Sequence, residues 1–288
     1  MAAVPAPETE ANLRQLWRHI VREPLTLAFF IVLSGIVLTA ALADVIAPYD
    51  PLAQSLLSLN QEPSGAHWFG TDQFGRDVLS RIIFGARTSL IVGLTAPILA
   101  ALIGTTLGLY AGYFGGWADR LIGRLVDLLL AFPALLLGIL VAAALSAGFW
   151  SMVAVLTIAL APRFARIARA STLSLRRASF VEAAIAAGLR HPLIIVRHVL
   201  PNIMGPIVVV LTLWIATAIR LEATLSFLGL GTQPPQPSWG NIIRDGLNNM
   251  FGSAWPIIAA GAAITVTVLA LNMIGDAVRD VLDPETRA

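Results

Sequence analysis

Side chains able to do chemistry are few in this sequence, and their spacing argues against catalysis by the chain itself. The nineteen basic residues are all arginine, and lysine is absent. A phosphate-cradling P-loop ends in Gly-Lys-Ser/Thr, with the lysine reaching the β- and γ-phosphates. This chain cannot build one, so any ATP it depends on must be hydrolysed by another subunit. Four histidines, His19, His67, His191 and His198, lie on separate segments with no metal-ligand spacing. There is no His-Glu-x-x-His helix and no Gly-x-Ser-x-Gly elbow. With no cysteine there are no disulfides, thiol nucleophiles or cysteine metal sites. Arg220 and Glu222 fall in an apolar segment, where charge is read first as functional. Snorkelling to the interface, or pairing of the two with each other, is the structural alternative. No metal or cofactor is expected on the chain.

The most informative polar stretch runs from Ser179 to Pro201-Asn202. Seven arginines lie in or near it: Arg163, Arg166, Arg169, Arg176, Arg177, Arg190 and Arg197. Ser179 and Glu182 have the Ser-x-x-Glu spacing of a capping box, which starts a helix by satisfying two backbone donors. Ala183, Ala184, Ala186 and Ala187 then give a smooth face, and Gly188 suits a left-handed helix end. His191-Pro192 restarts a short second helix. A short alanine-faced helix on a basic loop has the shape of something that docks into a partner's groove.

Composition says where that loop sits. The 288 residues are 57% hydrophobic and only 12% charged, against about 25% charged in soluble proteins. Apolar runs of about 18 residues or more mark membrane spans. The expectation is an all-α polytopic membrane protein with six transmembrane helices in a lipid bilayer. A net charge of +2 gives no argument for nucleic acid. Residues 1–23 read as an interfacial helix (Leu13, Leu16, Trp17 and Ile20 against Arg14, Arg18 and Arg22) or as a disordered basic tail. The first span covers about 25–43. Ala41-Leu42-Ala43 resembles a signal cleavage site, but the apolar run exceeds a signal's usual core of about 7–15 residues.

A polar outer loop covers 48–88, and its end should form an amphipathic surface helix. There Val78, Leu79, Ile82 and Ile83 share a face, and Asp77 and Arg81 can pair at i,i+4. The second span, about 89–113, carries Gly104, Gly108 and Gly112, whose four-residue spacing lets another helix approach closely. A short turn spans Trp117 to Asp127. Residues 128–162, uncharged over thirty-five positions, should divide into spans three and four near 146–148. Spans five and six cover about 203–224 and 256–276. Pro97, Pro133, Pro162 and Pro206 fall in these spans and either mark a gated pathway or reflect the general tolerance of membrane helices for proline. Six spans with both ends inside put fourteen of the nineteen arginines on the cytoplasmic side, as the positive-inside rule requires.

Four stretches resemble a known family. Glu182-Ala183-Ala184, Gly188 and Pro201 are similar to the EAA loop of the membrane subunits of binding-protein-dependent ABC importers. His198 stands where that pattern favours isoleucine. Phe69-Gly70-Thr71-Asp72, Gly75-Arg76-Asp77, Ser80-Arg81 and Gly85-Ala86-Arg87-Thr88-Ser89-Leu90 resemble an entry segment of the dipeptide, oligopeptide and nickel branch. The outer run Leu225–Gly240 and the ending Asn272–Pro284 are similar as well. The resemblance implies a type I ABC importer permease fold, with a five-helix core plus an N-terminal span. It divides the chain into 1–88 and a permease core 89–288, with the coupling loop at 169–202. It implies a peptide permease of the second-permease type in the cytoplasmic membrane, with nickel or glutathione-like substrates as the alternative. A secondary transporter would want midplane carboxylates and an internal repeat, and neither is found. The implied partners are a homologous permease, two ATP-binding subunits holding ATP-Mg, and an extracytoplasmic substrate-binding protein. Glu182, Ala183, Ala184, Ala187, Gly188, Arg190 and Pro201 would meet the ATPases.

The missing lysine makes a first prediction. The purified chain is expected to hydrolyse no ATP and to bind nucleotide no better than an unrelated membrane protein. Stoichiometric binding of a labelled ATP analogue by the isolated chain would contradict it.

Overall fold

A computed structural model describes residues 8–146 and 148–282. Among these the regular structure is helical, apart from one isolated bridge between Thr71 and Asp77. The helices are α1 (Glu8–Arg22), α2 (Pro24–Ala41), α3 (Ala43–Ile46), α4 (Val78–Phe114), α5 (Gly116–Leu130), α6 (Ala134–Ala144) and α7 (Phe149–Leu175). They continue with α8 (Ser179–Ala186), α9 (His191–Ile194), α10 (Leu200–Phe227), α11 (Trp239–Asn248) and α12 (Trp255–Leu282), and a π-helical segment, Ile195–Val199, joins α9 to α10. Ala147, at the expected cut between spans three and four, and Asp283-Pro284 of the family-like ending lie outside the described residues.

The centre of the bundle is the pair α4 and α7. Gly104, Gly108 and Gly112 form one row along α4. A methyl group on Gly104 or Gly108 would collide with the carbonyl oxygens of Ala161 and Ala165, and one on Gly112 would come within 2.9 Å of that of Arg169. These carbonyls are themselves four residues apart, so two helical rows meet in register. Pro97 and Pro162 are buried in these two helices. Around the pair, three apolar clusters run from end to end. One joins Leu109, Phe164, Val181, Ile194 and Ile203; a second joins Val92, Met152, Leu156 and Leu225; a third joins Ala40, Leu90, Ile219, Trp239 and Val268.

Four expectations need correction. First, no separate surface helix precedes span two. Asp77 caps α4 by accepting from the Ser80 amide at 2.8 Å, and the helix then runs unbroken for 37 residues, about 55 Å. That exceeds a hydrocarbon core of about 30 Å, so its first turns stand outside the membrane. Arg81 does not pair with Asp77; it reaches Asp72 at 3.5 Å and Asp245 at 3.6 Å, while Asp77 also contacts His67 at 2.9 Å.

Second, the turn after α4 is a helix, α5, which meets α6 at 97°. Phe132-Pro133 breaks them, because the residue before proline resists the α conformation. The 11 residues of α6 reach only about 16 Å. Among the described residues five helices are long and apolar enough to cross a membrane, or six if the bent pair counts as one span. Third, the fifth span is not preceded by a separate short helix: α9, the π segment and α10 form one rod from His191 to Phe227. Fourth, the outer segment after α10 is not all loop. It holds α11, started by a reciprocal capping box between Ser238 and Asn241.

At the N-terminus the tail is helical in α1, with Ile20 buried and Trp17 edge-on to Phe30 of α2 at 5.7 Å. The end of α2 leaves carbonyls unpaired, and Arg87 of α4 donates to those of Ala40 (3.0 Å) and Ala41 (3.1 Å). Arg87 also hydrogen-bonds Asp44 at 2.8 Å and thereby holds that carboxyl below its ordinary range.

Glycine-to-alanine substitution in a helix ordinarily stabilises by about 0.5–1 kcal/mol. Gly35→Ala in α2, where the new methyl meets open space, should leave the thermal midpoint of the purified chain unchanged or raised. Gly108→Ala should lower it by several degrees or prevent accumulation. Identical melting of the two variants would remove the α4–α7 contact as the packing centre.

Candidate functional site

The loop between α7 and α10 is built as a small rigid platform. Ala178, not Ser179, is the N-cap of α8, with extended backbone angles and no side-chain cap. The expected Ser179–Glu182 capping box is therefore absent: the helix starts one residue too early for it, with Ser179 already in the first turn. Glu182 is exposed, and among the described residues no hydrogen bond or ion pair holds its carboxylate. It still stands in the first turn, where a negative charge complements the helix dipole. The other end closes in a Schellman motif: the Leu189 amide bonds the Ala184 carbonyl at 3.2 Å and the Gly188 amide bonds that of Ile185 at 2.9 Å. Gly188 has φ +78°, and a Cβ there would meet nothing within 4 Å. A side chain at this position would strain the backbone without clashing inside the chain.

Burial divides the platform into two faces. Val181 and Ala184 turn inward and pack with Tyr113 of α4, Phe164 and Ala168 of α7, and Ile194 and Val199. Ala184 thus supports α8 from within and is not part of its outer surface. Glu182, Ala183, Ala186 and Ala187 face outward, between Phe180 (41% exposed) and Ile185 (46%). Arg176, Arg177, Arg190 and Arg197 are all exposed around them. Arg190 is the N-cap of α9, and Pro201 sits in the first turn of α10. The Tyr113 hydroxyl meets His191 Nδ1 at 2.9 Å, which ties the loop to the end of α4. Asn202 donates to the His198 carbonyl at 2.6 Å beside the π segment.

Two further arginines brace the neighbouring helix. Arg169 of α7 grips Asp119 of α5 with Nε and a second nitrogen, the latter at 2.7 Å, and Arg166 reaches Asp127 at 2.8 Å. Arg163 instead lies over the Trp214 ring of α10, 4.5 Å from its centroid. Among the described residues no group of three or more histidine or carboxylate side chains could hold a metal ion. What the arrangement offers is a firmly backed, small-residue surface ringed by positive charge.

Glu222, at the far end of α10, is fully buried and neither snorkels nor pairs with Arg220. Ser226 Oγ donates to Glu222 Oε1 at 2.7 Å, and Arg220 turns outward to Thr217 Oγ1 at 3.1 Å. Ser89 on α4 and Ser238, the cap of α11, lie near the carboxyl, where their hydroxyls accept from the Trp239 and Asn241 amides, and the second carboxyl oxygen, Oε2, makes no hydrogen bond. Sequence reasoning missed this meeting of three elements, because Ser89, Glu222 and Ser238 are far apart in the chain. The Ser238-x-x-Asn241 spacing was the one local sign of α11.

Comparison with known proteins places this geometry. The family of binding-protein-dependent transport system inner membrane components matches residues 104–288, and the N-terminal TM domain of oligopeptide transport permease C matches 12–63. The dipeptide transport system permease protein DppC of Alkalihalophilus pseudofirmus is 40% identical over 99% of this chain and 95% of its own. The glutathione transport system permease protein GsiD of Pectobacterium atrosepticum is 40% identical over 96% and 92%. A putative peptide transport system permease protein of Brucella suis is 44% identical over 94% and 91%. Among solved structures, an inward-facing MetNI methionine ABC transporter aligns with TM-score 0.56 at 20% identity, covering 70% of this chain and 97% of that one. That likeness concerns the fold.

Glu222 gives a stability test. Glu222→Gln keeps two polar atoms at the junction and should melt within a few degrees of the parent chain. Glu222→Leu leaves the buried Ser226 hydroxyl without its partner, at about 1–3 kcal/mol, and should lower the midpoint and expose α11 to protease. Equal loss in both variants would count against the hydrogen-bonded junction.

Proposed function

The chain belongs to the family of binding-protein-dependent transport system inner membrane components, and from that premise we propose that it forms half of a peptide pathway across the cytoplasmic membrane. It is a permease subunit of an ABC importer. In this reading a homologous permease supplies the other half and two ATP-binding subunits, which carry ATP-Mg, dock on α8. An extracytoplasmic binding protein delivers the substrate. The observation that carries the reading is the α8 platform: an outward face of Glu182, Ala183, Ala186 and Ala187, backed by a packed core and ended by a left-handed glycine. Peptide as substrate is supported by the 40–44% identity to permeases named for dipeptides and peptides, and the glutathione-like alternative by the 40% identity to one named for glutathione.

The mechanism follows from connectivity. A four-residue turn at 187–190 joins α8 to the rod His191–Phe227, about 55 Å long, and α8 also packs with Ile194 and Val199 of that rod. A displacement of α8 is thereby carried to Glu222 and the capped end of α11. The π segment Ile195–Val199 and Pro206 are irregular places in that rod, where its turns can readjust. Alternating inward- and outward-facing states then needs only rigid helices biased by ATPase closure. Residues 89–288 act as the permease core, and residues 1–88 add α1, α2 and an outer loop. Because α4 crosses residue 88 unbroken, this division is one of role and not of folding. Both termini face the cytoplasm, a reading supported by the arginines gathered at the α8 end.

Two measurements test it. Single cysteines can be introduced directly, since the chain has none. Those at 60 and 236 should label with an impermeant thiol reagent from outside, and those at 120 and 186 should not; outside labelling of 186 would overturn the orientation. Gly188→Leu and Glu182→Ala, assayed in the assembled transporter, should reduce uptake more than tenfold with normal membrane levels. ATPase co-purification should fall, or hydrolysis should lose its dependence on substrate. A local backbone penalty of about 1 kcal/mol at Gly188 would not by itself do this. Normal uptake with leucine at 188 would end the docking role.

A further inference from the structure

A second basic constellation lies where α5 packs on α7. Gly115, at φ +67°, turns the chain off the end of α4, and α5 meets α6 at 97°. After this turn α5 runs back against both α4 and α7, with one side covered by them and the other open. Its outer face carries Trp117 (72% exposed), Leu121 (52%), Leu125 (51%) and Leu128 (59%), one stripe at helical spacing. Its inner face is held by Asp119 on Arg169, Asp127 on Arg166, and the buried Val126.

Between α5 and α7, with Gly108 at its floor, is a cavity of about 270 Å³ ringed by Arg120, Arg124, Arg166 and Arg169. Asp119 and Asp127 neutralise two of the four guanidinium groups. Arg120 donates only to the Gly116 carbonyl at 3.3 Å, and Arg124 has no acceptor among the described residues. Two positive charges are thus left uncompensated around a space large enough for a phosphate with its glycerol but too small for acyl chains.

We propose that this cavity binds the phosphodiester headgroup of an anionic membrane lipid, with its acyl chains along the Trp117–Leu128 stripe. Charge complementarity selects a phosphate, because arginine forks match its oxygens in pairs and basic pockets beside membrane helices favour anionic headgroups. The adjoining apolar stripe selects a lipid over free phosphate. The site is separate from the α8 platform and does not depend on which substrate is carried. Occupancy would fix α5 against α7 beside the docking loop.

The test uses the full chain purified in mild detergent, stripped of lipid and examined by native mass spectrometry. Phosphatidylglycerol and cardiolipin, added singly, should give adducts that survive activation, and phosphatidylcholine should not. The double variant Arg120→Gln/Arg124→Gln should retain about tenfold less anionic lipid at unchanged melting temperature, and Arg120→Lys/Arg124→Lys should recover most of it. Equal retention by the parent and the glutamine variant would overturn the proposal. Displacement of the lipid by millimolar inorganic phosphate would do so too, by reassigning the cavity to a free anion. Loss of the adduct on assembly with the other subunits would likewise overturn it, by making this face a protein interface.

Discussion

The close approach of α4 and α7 is the constraint on which the rest of the structure depends. Lipid supplies no hydrophobic drive for one apolar helix to join another, so membrane helices associate through close packing and backbone proximity. Glycine at 104, 108 and 112 lets α4 lie directly on the carbonyls of α7. Once these two helices are fixed, the ends of both are fixed. Tyr113 at the end of α4 and Phe164 and Ala168 on α7 then form the base on which α8 is set. The position of α8 is a consequence of this contact, in which Phe164 and Ala168 themselves lie against Gly104 and Gly108.

Polar contacts finish both ends of this frame. Arg76 and Arg81, each no more than 5% exposed at the side chain, converge on Asp72 and Asp245 and hold the loop before α4 against α11. Such a buried ionic cluster adds little net stability, because desolvation offsets most of the Coulomb gain. Its effect is geometric: breaking it would strand a buried charge, so only one arrangement of the loop is tolerated. At the opposite end, arginines surround α8 and stay exposed. The same residue type is thus buried in ion pairs at one end and free at the surface at the other.

Much of this was legible locally. Apolar run lengths gave the long helices, Gly188 gave the end of α8, and the family-like stretches gave the fold. What sequence could not show was which partner each polar group would take. Asp77 faced two competing uses, pairing with Arg81 or capping α4, and the cap won because the Ser80 amide and hydroxyl lie at hand while Arg81 is drawn to Asp72 and Asp245. Ser179 had the spacing of a capping box, but the helix began at its own position and left it nothing to cap. The break at Phe132-Pro133 carried a known signal, but not its 97° angle or the pairing of Asp119 and Asp127 with α7. Glu222 drew its serine neighbours from three segments that only the assembled bundle brings together.

The central claim is that α8 is fixed on the α4–α7 pair and moves with it as one body. Spin labels at exposed positions 102 on α4 and 185, at the flank of the outward face of α8, can be placed in the cysteine-free chain, and their separation measured by pulsed electron resonance in the assembled transporter. The account predicts one narrow distance distribution, unchanged between nucleotide-free and ATP-bound states. A shift of several ångströms, or a second population appearing with ATP, would show α8 moving on its own and would contradict it.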